Sequence, residues 1–491
     1  TDNNTAVGRQ SGYFTTGAGN TYIGFRSGFG GSSAATNNNN TAVGHSSLLS
    51  VTTGGNNTVM GRLAADAITT GASNIVIGDS ALGTATTATE TVAIGSDAMS
   101  LVQAGQAITG VVAIGQNALK GGSTTTDIDG TIAIGKDSLK VLTTGQYNTA
   151  IGFEAGLVLT ELDKNTLIGY QAGKALSGSA GASNQTFIGY KAGAANTIGN
   201  SNTFVGSVAG TLITTGLQNV AMGREAMTAA DGAEANNTAL GAYAMQSSNH
   251  DSTADNVFIG VQAGKGGTGA QSRNVGIGQV ALGGSGGSAQ GNNVAVGYQA
   301  GGDSTTASGS VFLGYSAGHT VTTGNQNIAI GNDAMNGATT TGDSNIAIGD
   351  SAGDAITTGT HNVLVGSNNC GGAIIGGAKN VAMGGSALEQ VTTGDSNIAI
   401  GYNSGQGNTG ADYNVTVGFA AGDLTGPGNV AIGKGALSGN DSGQYNVGIG
   451  YEAGNDVTTG QDNVLIGNKA GDSLTTGGNN VIIGKEAGDG F

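Results

Sequence analysis

Residues with the chemistry of catalysis or metal binding are few in this chain of 491 residues. It contains one cysteine, Cys370, and four histidines: His45, His250, His319 and His361. No histidine has a second His or Cys at the spacing of a metal site, so we interpret them as solvated loop residues. Cys370 follows Ser367-Asn368-Asn369, at the position that other repeats fill with Gly, Leu or Met. Because no general base is identifiable near it, we interpret Cys370 as a small buried side chain.

Acidic residues outnumber basic ones, 32 Asp and Glu against 16 Lys and Arg, and they are scattered along the chain. The net charge of −16 disfavours a nucleic-acid partner, whose phosphates would be repelled. Asp97, Asp137, Glu154 and Glu225 recur near one corner of the repeat described below, without forming a dense Asp-Gly calcium repeat. Calcium stays a candidate ion, no other cofactor or metal is expected, and no catalytic pair of carboxylates can be assigned. We therefore do not expect an enzyme.

Aromatic residues that directly follow a recurring glycine form the first of two candidate surface rows. Its members are Phe153, Tyr170, Tyr190, Tyr298, Tyr315, Tyr402, Phe419 and Tyr451. Phe153, Tyr170 and Tyr190 fall in consecutive repeats and are expected to stack. Such a row could bind a glycan, contact another chain or stack within one chain, and the sequence favours the last two.

The second candidate row is made by Thr-Thr-Gly segments such as Thr52-Thr53-Gly54. We interpret each segment as a second short β segment that ends in a turn. Ice-binding solenoids present flat hydroxyl lattices of this kind. Here the row is interrupted in more than half of the repeats, which disfavours ice binding without removing it as an alternative.

One short phrase, Asn-x-Ala-Ile-Gly-x-x-Ala, recurs 28 times and positions all of these residues. Its glycine, called the anchor glycine below, runs from Gly8 to Gly484, and 15 of the 27 intervals are 17 residues long. A fixed period of this length is typical of a stacked-repeat protein. The sequence therefore predicts an all-β fold: a parallel β-solenoid of about 28 coils, forming an elongated rod with almost no helix.

Alternation of side chains predicts a short strand before each anchor glycine. The residue just before the glycine is always aliphatic or Met, so we predict that this row faces the core. Its representatives are Ile94, Ile114, Ile134, Ile151, Ile168, Ile330, Ile348 and Ile400. The residue before that one is Ala in half of the copies but also Tyr22 or Phe187, and we predict that this position faces outward or towards another chain.

Asn stands four residues before the anchor glycine in 23 of the 28 copies. Asn tolerates left-handed backbone angles, and its amides can form a hydrogen-bonded ladder when equal positions are stacked. We predict such a ladder, with Asn148, Asn165, Asn219, Asn327, Asn345 and Asn397 among its members.

The unbroken period from residue 1 to residue 491 predicts a single continuous solenoid domain, uncapped at both ends. Each coil buries few apolar side chains, worth roughly 1.5–3 kcal/mol each, against the backbone entropy of about seventeen ordered residues. This thin core predicts a homo-oligomer. No apolar run reaches the ~18 residues of a membrane helix, so membrane insertion is not expected.

The repeat resembles two related families. One is the β-roll head of trimeric autotransporter adhesins, and the other is the Asn-Thr-Ala-Ile-Gly repeat of phage tail fibres and large surface proteins of marine bacteria. The segment from Thr143 to Gly156, Thr-Thr-Gly-Gln-Tyr-Asn-Thr-Ala-Ile-Gly-Phe-Glu-Ala-Gly, matches the second pattern almost entirely. The resemblance implies a left-handed, commonly threefold β-roll that acts as a shaft or adhesive rod on a virion or outside a cell.

Together these features predict a structural fibre: the rigid shaft of a phage tail fibre or of a cell-surface adhesive filament that mediates attachment. The expected assembly is a homotrimer. A second interpretation is a subunit that polymerises end to end into a filament. A third is an ice-binding or glycan-binding solenoid, for which a cell-surface glycan is the candidate partner.

Overall fold

The computed structural model describes residues 3–31, 35–122, 125–177, 183–228, 232–247, 252–266, 269–284, 290–407 and 409–490. Three coils of 20 residues carry Gly/Ser/Thr-rich insertions, and parts of these insertions, at residues 32–34, 123–124 and 178–182, lie outside this description. The described residues contain strands, turns and bends but no helix.

The chain divides into two compact units, Thr1–Asp251 and Ser252–Phe491, called unit 1 and unit 2. The strands of unit 1 are β1 Thr5–Val7, β2 Thr21–Ile23, β3 Thr41–Val43, β4 Thr58–Met60, β5 Ile75–Ile77, β6 Val92–Ile94, β7 Val112–Ile114, β8 Ile132–Ile134, β9 Thr149–Ile151, β10 Thr166–Ile168, β11 Thr186–Ile188, β12 Thr203–Val205, β13 Val220–Met222 and β14 Thr238–Leu240. Those of unit 2 are β15 Val257–Ile259, β16 Gln271–Ser272, β17 Val275–Ile277, β18 Gln290–Gly291, β19 Val294–Val296, β20 Val311–Leu313, β21 Ile328–Ile330, β22 Ile346–Ile348, β23 Val363–Val365, β24 Val381–Met383, β25 Ile398–Ile400, β26 Val415–Val417, β27 Val430–Ile432, β28 Val447–Ile449, β29 Val464–Ile466 and β30 Val481–Ile483.

Every three-residue strand pairs in parallel with the next one in its unit, and equal positions of the repeat lie side by side. Ile328, Ala329 and Ile330 of β21 face Ile346, Ala347 and Ile348 of β22, and the same register holds along both units. The prediction of an all-β parallel solenoid with a repeat of about 17 residues is therefore confirmed. Handedness and the single continuous domain stay predictions.

The anchor glycines are required by the close stacking of the coils. Gly349 has a φ of +132°, and a Cβ on it would overlap the carbonyl oxygen of Gly366 in the next coil. An L-residue would be strained by this backbone angle and would also clash with the neighbouring backbone. The regular spacing of the strands therefore depends on the stacked anchor glycines, which have no side chain.

The core is lined by the middle residue of every three-residue strand except the first, β1, and the predicted orientation of the strand is wrong. Ala329 and Ala347 are fully buried, whereas Ile330 and Ile348 are only half-buried and Ile400 is 39% exposed. Ile94, Ile114, Ile134, Ile151 and Ile168 are likewise half-buried, on the outer face. Successive side chains of a strand point to opposite faces, so a core-facing middle residue places both flanking residues outside.

The middle residue of the strand takes sizes from Ala to Phe because it shares the narrow interior with a residue of the second corner. Phe187 is fully buried, and the residue six positions later, Gly193, has no side chain that could meet its ring. Where the middle residue is Ala329, the equivalent later position holds the buried Met335. Each coil thus fills one shared space, either from the strand or from the second corner.

Candidate functional site: the outer face of the strands

The outer face of each unit carries a continuous stripe of side chains without charge. We define the outer stripe as the first and third residues of all three-residue strands, and these are Val, Ile, Leu, Met or Thr without exception. Most of these side chains are half-buried, and some are exposed, such as Met60 at 53% and Ile75 at 43%. β-branched residues suit a pleated surface, and the parallel register aligns equal rows along the stripe. In the described part of the chain, contacts between strands join only neighbouring coils.

The stripe is larger than the apolar patches that single-chain proteins usually expose. If each side chain exposes on the order of 50 Å², the two rows of unit 2 expose on the order of 1,400 Å². The largest patch on a typical monomer is roughly 300–600 Å², and a standard interface buries roughly 800 Å² on each partner. The stripe is therefore the feature of this molecule that most clearly lacks a partner.

The predicted Asn residues lie inside the coil, where they link successive coils. The side-chain oxygen of Asn327 accepts hydrogen bonds from the backbone N–H and the side-chain amide of Asn345, at 2.9 Å and 3.2 Å. The Asn345 amide also donates to the carbonyl of Gly359 at 2.8 Å. The same arrangement joins Asn148 to Asn165 at 3.0 Å. Asn219 and Asn397 donate in the same way to the side-chain oxygens of Asn202 and Asn380 in the preceding coil. These buried amides stabilise the solenoid and cannot reach a ligand.

The aromatic row lies directly beside the outer stripe, one residue after the anchor glycines. The rings of Phe153, Tyr170 and Tyr190 stack with centroids 5.5 Å and 5.3 Å apart and planes within 10°. Tyr298 stacks on Tyr315, and Tyr402 on Phe419. The Lys434 amine lies 5.9 Å from the Phe419 ring centre and 5.5 Å from that of Tyr451.

Because stacked rings cover one another's faces, this row presents mainly ring edges outward. Carbohydrates pack on ring faces, so the arrangement favours stacking and contact with another chain over a flat glycan platform. Tyr170 and Tyr190 remain 42% and 49% exposed, so the row extends the apolar surface of the stripe.

The first threonine of several Thr-Thr-Gly segments donates its hydroxyl hydrogen bond to the next coil. Thr52 Oγ1 donates to the carbonyl oxygen of Thr69 in the next coil at 3.0 Å, and Thr69 Oγ1 donates to that of Thr86 at 3.1 Å. Thr392 and Thr458 make the same bond to the coil that follows each of them. A hydroxyl committed to a neighbouring carbonyl cannot donate to water, which weakens the ice-binding interpretation.

The acidic residues near the second corner form links between coils. Glu154 Oε2 accepts from Lys174 Nζ at 2.7 Å and from Gln171 at 2.8 Å, and these contacts lower the pKa of Glu154. Asp137 accepts from Asn117 at 2.9 Å and pairs with Lys140 at 3.0 Å. Asp97 lies 3.8 Å from Lys120 in the next coil. Glu225 pairs with the adjacent Arg224 at 3.0 Å and accepts from Gln246 in the next coil at 2.8 Å. Within the described ranges, no three His, Cys, Asp or Glu residues converge as a metal site.

Cys370 is fully buried, and its place in the coil differs from the predicted one. Gly353 N–H donates to the carbonyl of Cys370, just as Gly371 N–H donates to that of Ala387. Cys370 therefore fills the small-residue position held by Ala in other coils, because this repeat carries one extra residue. Burial raises the pKa of its thiol to about 11, which makes the thiol inert at neutral pH.

No protein-family model matches the chain, and no curated protein matches it in sequence. Nothing in the described part of the chain forms a helix that could cross a membrane. Because of its large uncharged surface, the outer stripe together with the aromatic row beside it is the candidate functional site.

Proposed function

We propose that this protein is a structural fibre protein whose copies associate side by side through the outer stripe. The single observation that carries the proposal is the stripe itself: two rows of uncharged, mostly aliphatic side chains along every three-residue strand. Apolar area exposed on this scale favours burial against another chain at roughly 25 cal/mol per Å². A second copy supplies rows with the same spacing, about 4.8 Å between strands.

The finer proposal is that the fibre is the shaft of a phage tail fibre or of a cell-surface adhesive filament, outside the cell or on a virion. The support is the resemblance of the repeat to such shafts and the mechanical design of the coils. Asn amides, Thr hydroxyls and strand hydrogen bonds all link successive coils, so many weak contacts share a load applied along the stack.

The test is a mass determination across a hundredfold range of chain concentration, by sedimentation velocity and native mass spectrometry, with negative-stain images of the same samples. We expect particles of a fixed small number of chains, and three chains would match the trimer. Particles that stay monomeric at all concentrations contradict the proposal. Filaments of indefinite length would instead assign contact to the ends of the molecule and favour the polymerising subunit.

A further inference from the structure

The first residue of the strand differs systematically between the two units. Within the described residues, all fourteen three-residue strands of unit 2 begin with Val or Ile, whereas nine of the fourteen in unit 1 begin with Thr. The Thr strands are β1–β4, β9–β12 and β14. The third residue of the strand is aliphatic or Met in both units, so the two outer stripes differ in one row only.

Thr and Val have nearly the same shape, so this difference changes hydration rather than the fold. Thr166 and Val430 are both half-buried at equal positions of the strand. Burying a hydroxyl without a hydrogen-bond partner is unfavourable, because the hydroxyl loses its hydrogen bonds to water. The same hydroxyl costs nothing while it faces water. A row of Thr therefore opposes burial of the stripe, whereas a row of Val and Ile favours it.

The threonines that begin strands of unit 1 find no hydrogen-bond partner for their hydroxyls within the described ranges. Thr166, Thr186 and Thr203 use only their backbone groups, in contrast to the Thr-Thr-Gly threonines, whose hydroxyls bind the next coil. Their side chains are thus free to bind water on the outer face of unit 1.

We propose that copies of this chain associate chiefly through the outer stripe of unit 2, while the Thr-bearing stripe of unit 1 stays hydrated and contributes little. This inference rests on the proposed fibre function and concerns the same face. The occupant is a second copy, because the unit 2 stripe has no charge to attract an ionic partner. Its exposed apolar area, on the order of 1,400 Å², also exceeds what a standard interface needs.

Matched lysine substitutions in the full chain test the asymmetry. One variant carries Ile432→Lys, Ile449→Lys and Ile466→Lys in unit 2, and the other carries Ile168→Lys, Ile188→Lys and Val205→Lys in unit 1. Both place three charges in the same row on three consecutive strands. We expect the unit 2 variant to raise the chain concentration at half-dissociation at least 100-fold. The unit 1 variant should change it less than 10-fold.

A conservative exchange gives a second test that spares the fold. Val430→Thr, Val447→Thr and Val464→Thr together should weaken association about 10-fold or more. Thr166→Val, Thr186→Val and Thr203→Val together should strengthen it. Sedimentation velocity measures the association, and circular dichroism with thermal unfolding verifies that the coils remain intact.

The outcomes separate this inference from the proposed function. Equal weakening by both lysine variants, or greater weakening by the unit 1 variant, overturns the asymmetry but leaves the fibre standing. Thr exchanges in unit 2 that leave association unchanged also overturn it. A wild-type chain that is monomeric at every concentration removes the proposed function, and this inference falls with it.

Discussion

At the scale of the residue, neighbouring positions of one strand face opposite environments. Ala329 is fully buried, while its neighbour Ile330 lies half-buried on the outer stripe. An aliphatic row that never accepts a polar residue is compatible with a core or with an interface to another chain. In this solenoid it forms the outer face, so a charge placed there meets water in the single chain.

Two aspartate substitutions distinguish these positions. Ala329→Asp would bury an unpaired charge, and we expect a loss of at least ~3 kcal/mol and local unfolding. Ile330→Asp should cost the single chain less than ~1 kcal/mol but weaken association. Thermal unfolding at low concentration, together with sedimentation, measures both effects. Equal destabilisation of the single chain by the two variants would contradict the orientation of β21.

The buried thiol of Cys370 gives a pH dependence with a definite sign. Its pKa rises from 9.0 to about 11 on folding, so between these values the unfolded chain loses the proton and the folded chain retains it. The stability that this thiol contributes is complete below pH 9. It falls by about 1.4 kcal/mol per pH unit as the pH rises towards 11.

The measurement compares denaturant unfolding of wild type and Cys370→Ala at about pH 8 and about pH 10.5, on either side of the ordinary thiol pKa. Ala occupies the equivalent position in neighbouring coils, so the variant should fold normally. We expect wild type to lose about 2 kcal/mol more than the variant across this range. Burial also raises the pKa of Tyr22, to about 12, but that contribution is common to both chains. Parallel pH profiles would show that the thiol is accessible in the folded chain.

At the scale of the element, the strand and the second corner share one interior volume. Each strand with an aromatic middle residue is followed six positions later by glycine, and the pairs are Tyr22 and Gly28, Phe187 and Gly193, Phe204 and Gly210, Phe258 and Gly264, and Phe312 and Gly318. A Cβ on any of these glycines would overlap or press against the ring of its own coil. Coils with Ala in the strand often carry Leu or Met at the corner, as Ala329 and Met335 do.

This pairing predicts strong coupling in a double-mutant cycle. Ala329→Phe alone should overpack the coil and cost about 1–3 kcal/mol, and Met335→Gly alone should leave a cavity and cost about 2–5 kcal/mol. The double variant should lie close to wild type, with the introduced ring stacked on that of Phe312 as Phe187 stacks on Phe204 at 4.9 Å. Thermal or denaturant unfolding of all four chains gives the coupling energy. Additive losses would refute the shared volume.

At the scale of the whole molecule, charge and the outer stripe act in opposite directions. The net charge of −16 makes copies repel each other, while the stripe that we propose as their interface carries no charge. Salt screens repulsion between exposed charges beyond roughly 10 Å at 0.1 M, and it leaves apolar burial intact. Association should therefore tighten as salt is added.

We expect the concentration at half-dissociation to fall several-fold between about 20 mM and about 500 mM NaCl, measured by sedimentation at constant pH. An interface built from ion pairs would respond in the opposite direction, because salt weakens attraction between opposite charges. Weakening by salt would therefore count against the stripe as the interface.

The sequence by itself determined the repeat length, the strand before each anchor glycine, the absence of helix from the described residues and the parallel stacking of coils. These features follow from the spacing of the repeat and from the alternation of side chains, and both are visible in one sequence. The pairing of Phe187 with Gly193 was also present in the sequence, as a correlation between positions six residues apart, and sequence reasoning missed it.

Only the tertiary structure decided which face of the strand is the core. Alternation separates two faces but does not say which one is inside, and here the aliphatic row of Ile330 lies outside while Ala329 fills the core. The deciding factor is the small interior volume of the coil, which is filled by the middle residue and the second corner and leaves the aliphatic rows on the surface. The same closure buries the Asn345 amide in its ladder and leaves the outer stripe as the face that we propose for assembly.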